Sequence, residues 1–589
     1  MMRAGGRKAR GWLAACACMA AQPILADAAA AAPSPAVVAE LAGRATSAYQ
    51  AIFSSISGNA WIDARSAIAA LDAGDPMRPY LLAELYLAKD SPRVELFDLL
   101  DLLARAPHLP QAERLTRLAE KRGAQSIPER AQIRPLMYTG GSPQRAILSP
   151  IKGDLIADAL APQLAALIKL DDPAGAEALL DSAGVAMSPA CMTELRQRIA
   201  WSYFITSDLT NARRLALKAT AEGSGPYLAP AHWVAGLASW RQKAWGDAAA
   251  QFASVAARAS DADLRSAGYY WAARASMADR KPQMVASYLK AAAREEDSFY
   301  GLLANETLGL QKPRGLVRGN GAAGDRGAIA TLPNVRIAAT LASLGRWAEA
   351  DEALRYQAAL SGTQDYAALV HLASDLSLPR TQLWLAQRSP DGVKASPYLR
   401  YPRPNWTPAG GWRVEKALVY AHTLQESRFQ TDALSPAGAR GLMQLMPGTA
   451  NNLAAAAGER VSAADLGIPS VNMEYGQRYL EKLSGMSATD GLLAKVIAAY
   501  NAGPTPIERW KYQVRDDGDP LLFIESVPFY ETRAYVNVVL RNYWMYQMEE
   551  SGQSAALTSL AQGLWSRFPG KTGEMAVRIS SAGRSFGAD

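Results

Sequence analysis

Cysteine and histidine are both scarce, with three and four residues in a chain of 589. Cys16 and Cys18 fall in an amino-terminal segment that reads as a leader, so a chain cut near Ala26 keeps Cys191 alone and has no intrachain disulfide. His108, His232, His371 and His422 form no zinc-type cluster with cysteine, and no phosphate-loop signature appears. No metal and no cofactor are therefore expected. Charge of one sign is lacking too. The net charge is +7, and taking away Arg3, Arg7, Lys8 and Arg10 with the leader leaves +3, too little to indicate nucleic acid as a partner. The apolar run from Trp12 to Leu25 is interrupted by Gln22 and Pro23 and is short for a bilayer span. With cations before it and small residues around Ala26, Ala28 and Ala29, it has the layout of a secretory signal over residues 1–26. Leu13, Ala14, Ala15 and Cys16 also spell a lipoprotein box, so a lipid-anchored form is the lesser alternative.

Period-two alternation is missing as well, which argues against a sheet protein. What the chain has instead, from about Val37 to Leu385, is one Ala- and Leu-rich amphipathic segment after another, separated by Gly, Pro or Asp. Trp233, Gly236, Ala248 and Phe252 are echoed 37 residues later by Tyr270, Ala273, Val285 and Leu289. A looser echo pairs LASLGRWAEADEAL at 341–354 with LASWRQKAWGDAAAQF at 237–252. Repeats of this length predict an irregular tetratricopeptide-like superhelix, in which each helical hairpin covers the apolar face of the last. The recurring aromatics are assigned to packing because they fall at helical spacing.

A length of 589 residues calls for more than one core. The expected segments are a superhelical repeat domain at 27–330, a helical linker subdomain at 331–400, a Pro/Gly linker at 401–411, a second domain at 412–566 and a loosely ordered tail at 567–589. Two breaks support this. RGLVRGNGAAGDRG begins at Arg314, and residues 389–411 hold Pro390, Pro397, Pro402, Pro404, Pro408, Gly410 and Gly411, a density that forbids continuous helix. The second break also predicts that the carboxyl-terminal domain folds when separated from the rest.

Helical periodicity resumes at Trp412 with Val414, Leu418 and Ala421 on one stripe, and at about 100° per residue Glu426 lies on the flank of that stripe, in line with Val419 and His422. A carboxylate there can face a cleft. The chain then runs through ESRFQTDALSPAGARGLMQLMPGTA at 426–450, where turn residues surround an apolar cluster of Leu442, Met443, Leu445 and Met446. Apolar neighbours disfavour the ionised carboxylate and would raise its pKa, which a general acid needs near neutral pH. His422 is read as neutral and packed, since a protonated imidazole would oppose that shift.

This block, followed by VNMEYGQRYL at 471–480, AAYNAGP at 498–504 and FIESVPFYETRAYVNVVL at 523–540, resembles the catalytic motifs of soluble lytic transglycosylases in order and approximate spacing. YYWAARA at 269–275 and FYGLLANETLG at 299–309 resemble the superhelical region of the same family. The resemblance implies a predominantly α fold, a superhelix followed by a lysozyme-like domain, acting as a monomer on peptidoglycan glycan strands in the periplasm, with other cell-wall enzymes as candidate partners of the helical part. Residue by residue it implies that Glu426 is the catalytic acid and that Ser435, Gln444, Met446, Tyr500 and Glu531 line or order the sugar cleft, with Tyr500 close enough to hydrogen-bond Glu426. Glu531 equally suits pairing with Arg533 or capping a helix, and Asn472 suits an N-cap. Thr505 and Pro506 depart from the family, which often has glycine there, so a stiffer loop beside Tyr500 is expected.

The family's mechanism needs one carboxyl group that serves first as acid and then as base, giving a 1,6-anhydro sugar without water. A goose-type muramidase on the same fold would deliver water instead, and a wall-binding scaffold would have no use for a proton donor.

Overall fold

The computed structural model describes residues 33–43, 45–183, 187–310, 326–392, 394–570 and 575–579. The expected export signal and the Gly-rich residues 314–325 lie outside the described residues. Among the described residues nearly all regular structure is helical, and the strands are two-residue pairs: Met137–Tyr138 with Arg388–Ser389, and Trp565–Ser566 with Ala576–Val577, both antiparallel. No helix among them is long and apolar enough to cross a membrane.

The 37-residue echo is a structural repeat. Helices Leu228–Arg241 and Trp245–Arg258 form one hairpin, and Ala262–Ala278 and Pro282–Ala293 form the next. Lys243 and Arg280, one repeat apart, turn each hairpin with left-handed φ values of 60° and 58°, and Ser207 does the same in the preceding pair at 68°. Asp208, Asp261 and Ser298 cap helix starts by accepting from backbone N–H groups of Asn211, Leu264 and Gly301. Trp233, Phe252 and Trp271 pack edge-on or tilted across successive helices with ring centroids 5.2 to 6.2 Å apart. Their burial supports the packing role read from the spacing. Gly268 is required where two helices meet backbone to backbone, since a Cβ there would lie 2.7 Å from the Ala256 nitrogen.

The cores do not follow the expected segment boundaries. One core joins residues between Val37 and Ala119 to residues between Ile329 and Leu385. The stretch 331–400 therefore completes the amino-terminal helices, with Pro333–Ser343 packing on Pro35–Leu41. A second core joins residues between Ala157 and Ala304 in the superhelix to residues between Tyr401 and Phe568. The tail is partly ordered, because Ala576 and Val577 pair with Ser566 and Trp565 and Phe568 is buried.

The joint between superhelix and carboxyl-terminal domain explains that continuity. Residues 142–151 form an extended strap between the two. On the strap, Arg145 donates from Nη1 and Nη2 to the two oxygens of Glu525 at 2.8 and 3.2 Å and from Nε to Asp263 at 3.3 Å. Tyr300 donates to Glu525 at 2.7 Å and accepts from the Trp271 indole at 2.9 Å. Phe299 stacks on Trp544 at 4.8 Å, and Arg274 bonds Asp519 at 2.6 Å. An isolated 412–566 fragment would expose these apolar faces and leave Glu525 without its cation, so the separable fragment expected from the linker is revised to an integral part of one core.

Burial pushes the Glu525 carboxyl up, but the Arg145 charge and hydrogen bonds outweigh it and hold it below the usual range. Arg145→Met should therefore lower the unfolding free energy by about 3–5 kcal/mol at neutral pH in denaturant titrations. The stability tied to a depressed carboxyl is complete above the ordinary glutamate pKa of about 4.3 and is lost on acidification. The deficit of Arg145→Met should accordingly shrink in acid, and Arg145→Met with Glu525→Gln should recover part of it at neutral pH.

Candidate functional site

Glu426 is the last residue of the helix Lys416–Glu426. Arg428 and Phe429 then take left-handed φ values of 51° and 64°, which turn the chain sharply out of the helix, and Ser427 ties the turn down by donating to the Leu442 carbonyl at 2.8 Å. The carboxylate is half-buried at the rim and is placed by backbone geometry. Burial pushes its pKa up to about 7, a hydrogen bond from Tyr535 opposes the shift, and the charge of Glu531 adds to it. The negative end of the helix dipole acts in the same direction as burial.

The phenol that reaches Glu426 is Tyr535, which donates to Oε1 at 2.5 Å. Tyr500 does not make that bond. Its hydroxyl donates to the Met443 carbonyl at 2.8 Å, while its ring lies 4.8 Å from His422 and 5.3 Å from Tyr479. Tyr500 thus holds the loop that follows Glu426, and its charge-sensitive hydroxyl remains within electrostatic range of the carboxylate. His422 is fully buried, its Nδ1 lies 2.9 Å from the Leu418 carbonyl, and burial lowers its pKa to about 4. A neutral imidazole with Nδ1–H donating follows, in line with the sequence reading.

The 433–446 loop is braced from within. Ser435 Oγ accepts from the Ala439 N–H at 2.9 Å, so it closes its own turn. Gln444, at φ 46°, donates to the carbonyls of Gly441 and Ala433 at 2.9 and 3.2 Å. Gly441, at φ 71°, is irreplaceable: a Cβ there would lie 2.1 Å from the Leu466 carbonyl oxygen. Asn472 is inside the helix Pro469–Ser484 and is no N-cap; its side chain accepts from the Met443 N–H and donates to the carbonyls of Arg440 and Leu466. Met446 is exposed at the end of the loop.

Glu531 is exposed in the first turn of the helix Tyr530–Ser551, and its charge reaches Glu426. It leaves Arg533 to other partners, the Val527 carbonyl at 2.9 Å and the face of Trp201 at 4.1 Å. Thr505 and Pro506 are not in a loop: Gly503 at φ 81° ends one helix and Pro504–Gln513 begins at once, where proline fits the first turn. Thr532 donates to Asn501 at 2.6 Å, joining the last two sequence blocks. The structure therefore brings Tyr500 and Glu531 within electrostatic range of Glu426 and uses Ser435 and Gln444 to brace the loop that follows it. Sequence reasoning missed Tyr535, although it lies one helical turn beyond Glu531 on the same helix face.

Residues 407–523 match the family model of the transglycosylase SLT domain. The soluble lytic murein transglycosylase of Salmonella typhimurium is 34% identical over 200 residues, 33% of this chain and 29% of that protein. Its Escherichia coli K12 counterpart is 33% identical over 159 residues, 27% of this chain and 24% of that protein. The aligned part thus spans less than a third of these relatives. In three dimensions the likeness is wider. An inactive mutant of the lytic transglycosylase Slt of Pseudomonas aeruginosa superposes with a TM-score of 0.52 at 20% identity over 86% of each chain. The 70 kDa soluble lytic transglycosylase of Escherichia coli gives 0.51 at 17% identity over 89% of this chain and 99% of that one. At such identities the superpositions establish the fold, a helical superhelix followed by a lysozyme-like domain.

The pKa balance at Glu426 sets opposite outcomes for two substitutions. Tyr535→Phe removes the bond that stabilises the ionised form, so the alkaline limb of the pH–rate profile should move above pH 7. Glu531→Gln removes the charge that disfavours ionisation and should move it below. Limbs that shift together, or not at all, would refute the assigned contacts.

Proposed function

We propose that this chain, whose residues 407–523 match the transglycosylase SLT domain, is a soluble lytic transglycosylase that cleaves the β-1,4 bond between N-acetylmuramic acid and N-acetylglucosamine in peptidoglycan without water. The observation that carries the proposal is a single half-buried carboxyl, Glu426, with a pKa near 7 and a phenol bonded to it. A carboxyl whose pKa burial raises toward neutrality suits a residue that must give a proton and then take one.

In the first half-reaction Glu426 protonates the bridging oxygen, the C1–O bond breaks, and the muramic N-acetyl carbonyl stabilises the positive C1. In the second, the Glu426 carboxylate removes the proton of the muramic C6 hydroxyl as that oxygen bonds to C1. The 1,6-anhydro sugar results and Glu426 is protonated again, so atoms and protons balance without water. Tyr535 strengthens its bond as Glu426 ionises and thereby stabilises the state between the two halves. Ser435, Gln444 and Met446 are proposed to present the loop that lines the sugar cleft, with Tyr500 holding that loop in place.

The leader features of residues 1–26 support export to the periplasm, where the glycan strands are. The enzyme is proposed to act as a monomer, with the superhelix free to engage other cell-wall enzymes.

Digestion of purified sacculi should release muropeptides lighter by one water than those of a muramidase, as read by mass spectrometry. Free reducing muramic ends would replace this reading with the hydrolase. Glu426→Gln should retain glycan binding and lose at least about a hundredfold in turnover, the low end of what a positioned acid supplies.

A further inference from the structure

His422 sits one helical turn before Glu426 and is fully buried. Its Nδ1 lies 2.9 Å from the Leu418 carbonyl, and a carbonyl can only accept, so Nδ1 carries the proton and Nε2 is left as an acceptor. Among the described residues no group donates to Nε2, although the atom is sealed from water. An acceptor left unpaired in that position is costly.

Two phenols stand against the imidazole. Tyr500, on the helix Leu493–Ala502, lies 4.8 Å away between ring centres, and Tyr535, on the helix Tyr530–Ser551, lies 6.1 Å away. Tyr500 is committed, because its acceptor is the Met443 carbonyl, whose charge no proton transfer alters, and Tyr479 of the helix Pro469–Ser484 packs on its ring. Tyr535 donates instead to Glu426 Oε1, an oxygen that belongs to an anion in one half of the cycle and to a neutral acid in the other. A phenol favours a carboxylate over an imidazole, because that bond is charge-assisted. It favours the imidazole nitrogen over the oxygen of a neutral acid, because the nitrogen is the stronger base.

We propose that Tyr535 alternates between two acceptors, Glu426 when the carboxyl is ionised and His422 Nε2 when it holds its proton, which makes His422 a positioning residue for the acid. The proposal rests on Glu426 as the acid–base group of the reaction above. With the phenol turned to His422, the Glu426 proton is left for the bridging oxygen; as that proton departs, Tyr535 returns to the carboxylate. Only hydrogen bonds are exchanged, and His422 stays neutral throughout, since burial lowers its pKa to about 4 while that of Glu426 is raised to about 7.

The bond from Tyr535 to His422 exists only while Glu426 is protonated, so it favours the protonated form, as the charge of Glu531 on the same helix does. His422→Leu removes the acceptor and keeps the site apolar. It should move the alkaline limb of the kcat profile to lower pH by about half to one pH unit, the effect of one hydrogen bond. In the Tyr535→Phe background the same substitution should leave the limb where it is. His422→Gln, which offers an amide oxygen, should restore part of the shift. A limb unmoved by His422→Leu, or moved equally with and without Tyr535, overturns the proposal.

A second measurement needs no turnover. In the full chain with isotope-labelled histidine, the His422 Nε2 resonance is recognised by its loss in either His422 variant. In nitrogen NMR it should pass from a free to a bonded acceptor as pH falls through the Glu426 pKa. A resonance that ignores that titration, or an imidazolium that appears with it, overturns the proposal whatever the products of cleavage. Free reducing ends among those products count against the transglycosylase reading alone and leave the titration readable.

Discussion

The buried ion pair between Arg145 and Glu525 is the constraint on which the two halves of the molecule depend. Both charges are withdrawn from water, and their attraction does little more than offset that cost. What the pair supplies is position. Arg145 reaches Glu525 in the carboxyl-terminal domain and Asp263 in the superhelix, while Tyr300, backed by Trp271, completes the set on Glu525. A docking that buried Glu525 without Arg145, or Arg145 without its carboxylates, would leave an unpaired charge out of water, so such arrangements are penalised more than the native one is favoured.

The electrostatics of Glu426 follow a different logic, because there full compensation would defeat the chemistry. A carboxylate given an arginine would stay ionised and could not act as an acid. Glu426 instead has one phenol, which stabilises the anion less than a cation would, together with burial, a helix carboxyl end and the charge of Glu531, which all oppose ionisation. His422, one turn earlier, is kept neutral by burial, which outweighs the opposing bond to the Leu418 carbonyl, so its imidazole adds no positive charge.

Much of this was legible in the sequence, and the boundary has a physical cause. Hairpin repeats are local, so the Trp233 and Tyr270 echo announced the repeat and its core, while the left-handed turn positions fell to Lys243 and Arg280, neither of them a glycine, proline or aspartate. Glu426 and its loop are contiguous, so their motif announced the cleft. Tyr535 lies inside a recognised block, but nothing in its spacing separates it from Tyr543 and Tyr546, which are buried on the same helix and bond to Glu415 and to the Pro402 carbonyl. Arg145 had no local signal at all, since its partner is 380 residues away. The proline-rich stretch was misleading for a related reason: it does interrupt the helices, but a break in backbone regularity need not be a break in the core, and Tyr401 and Trp406 within it are buried in the shared one.

These threads meet on the helix Tyr530–Ser551. Tyr535 can hold Glu426 only if that helix keeps its rotation and height relative to Lys416–Glu426. The strap fixes both from the other side: Tyr530 donates to the Ala146 carbonyl at 2.8 Å, and Arg541 donates to the Pro143 carbonyl. Tyr530 and Arg541 bracket Tyr535 along the helix, and Arg145, between their two acceptors on the strap, is locked to Glu525. The phenol at the candidate catalytic carboxyl is thus positioned by a segment nearly 400 residues upstream in sequence. The superhelix and strap do more than carry the carboxyl-terminal domain, because the Tyr535–Glu426 geometry on which the proposed proton transfers rest is completed across the joint between them.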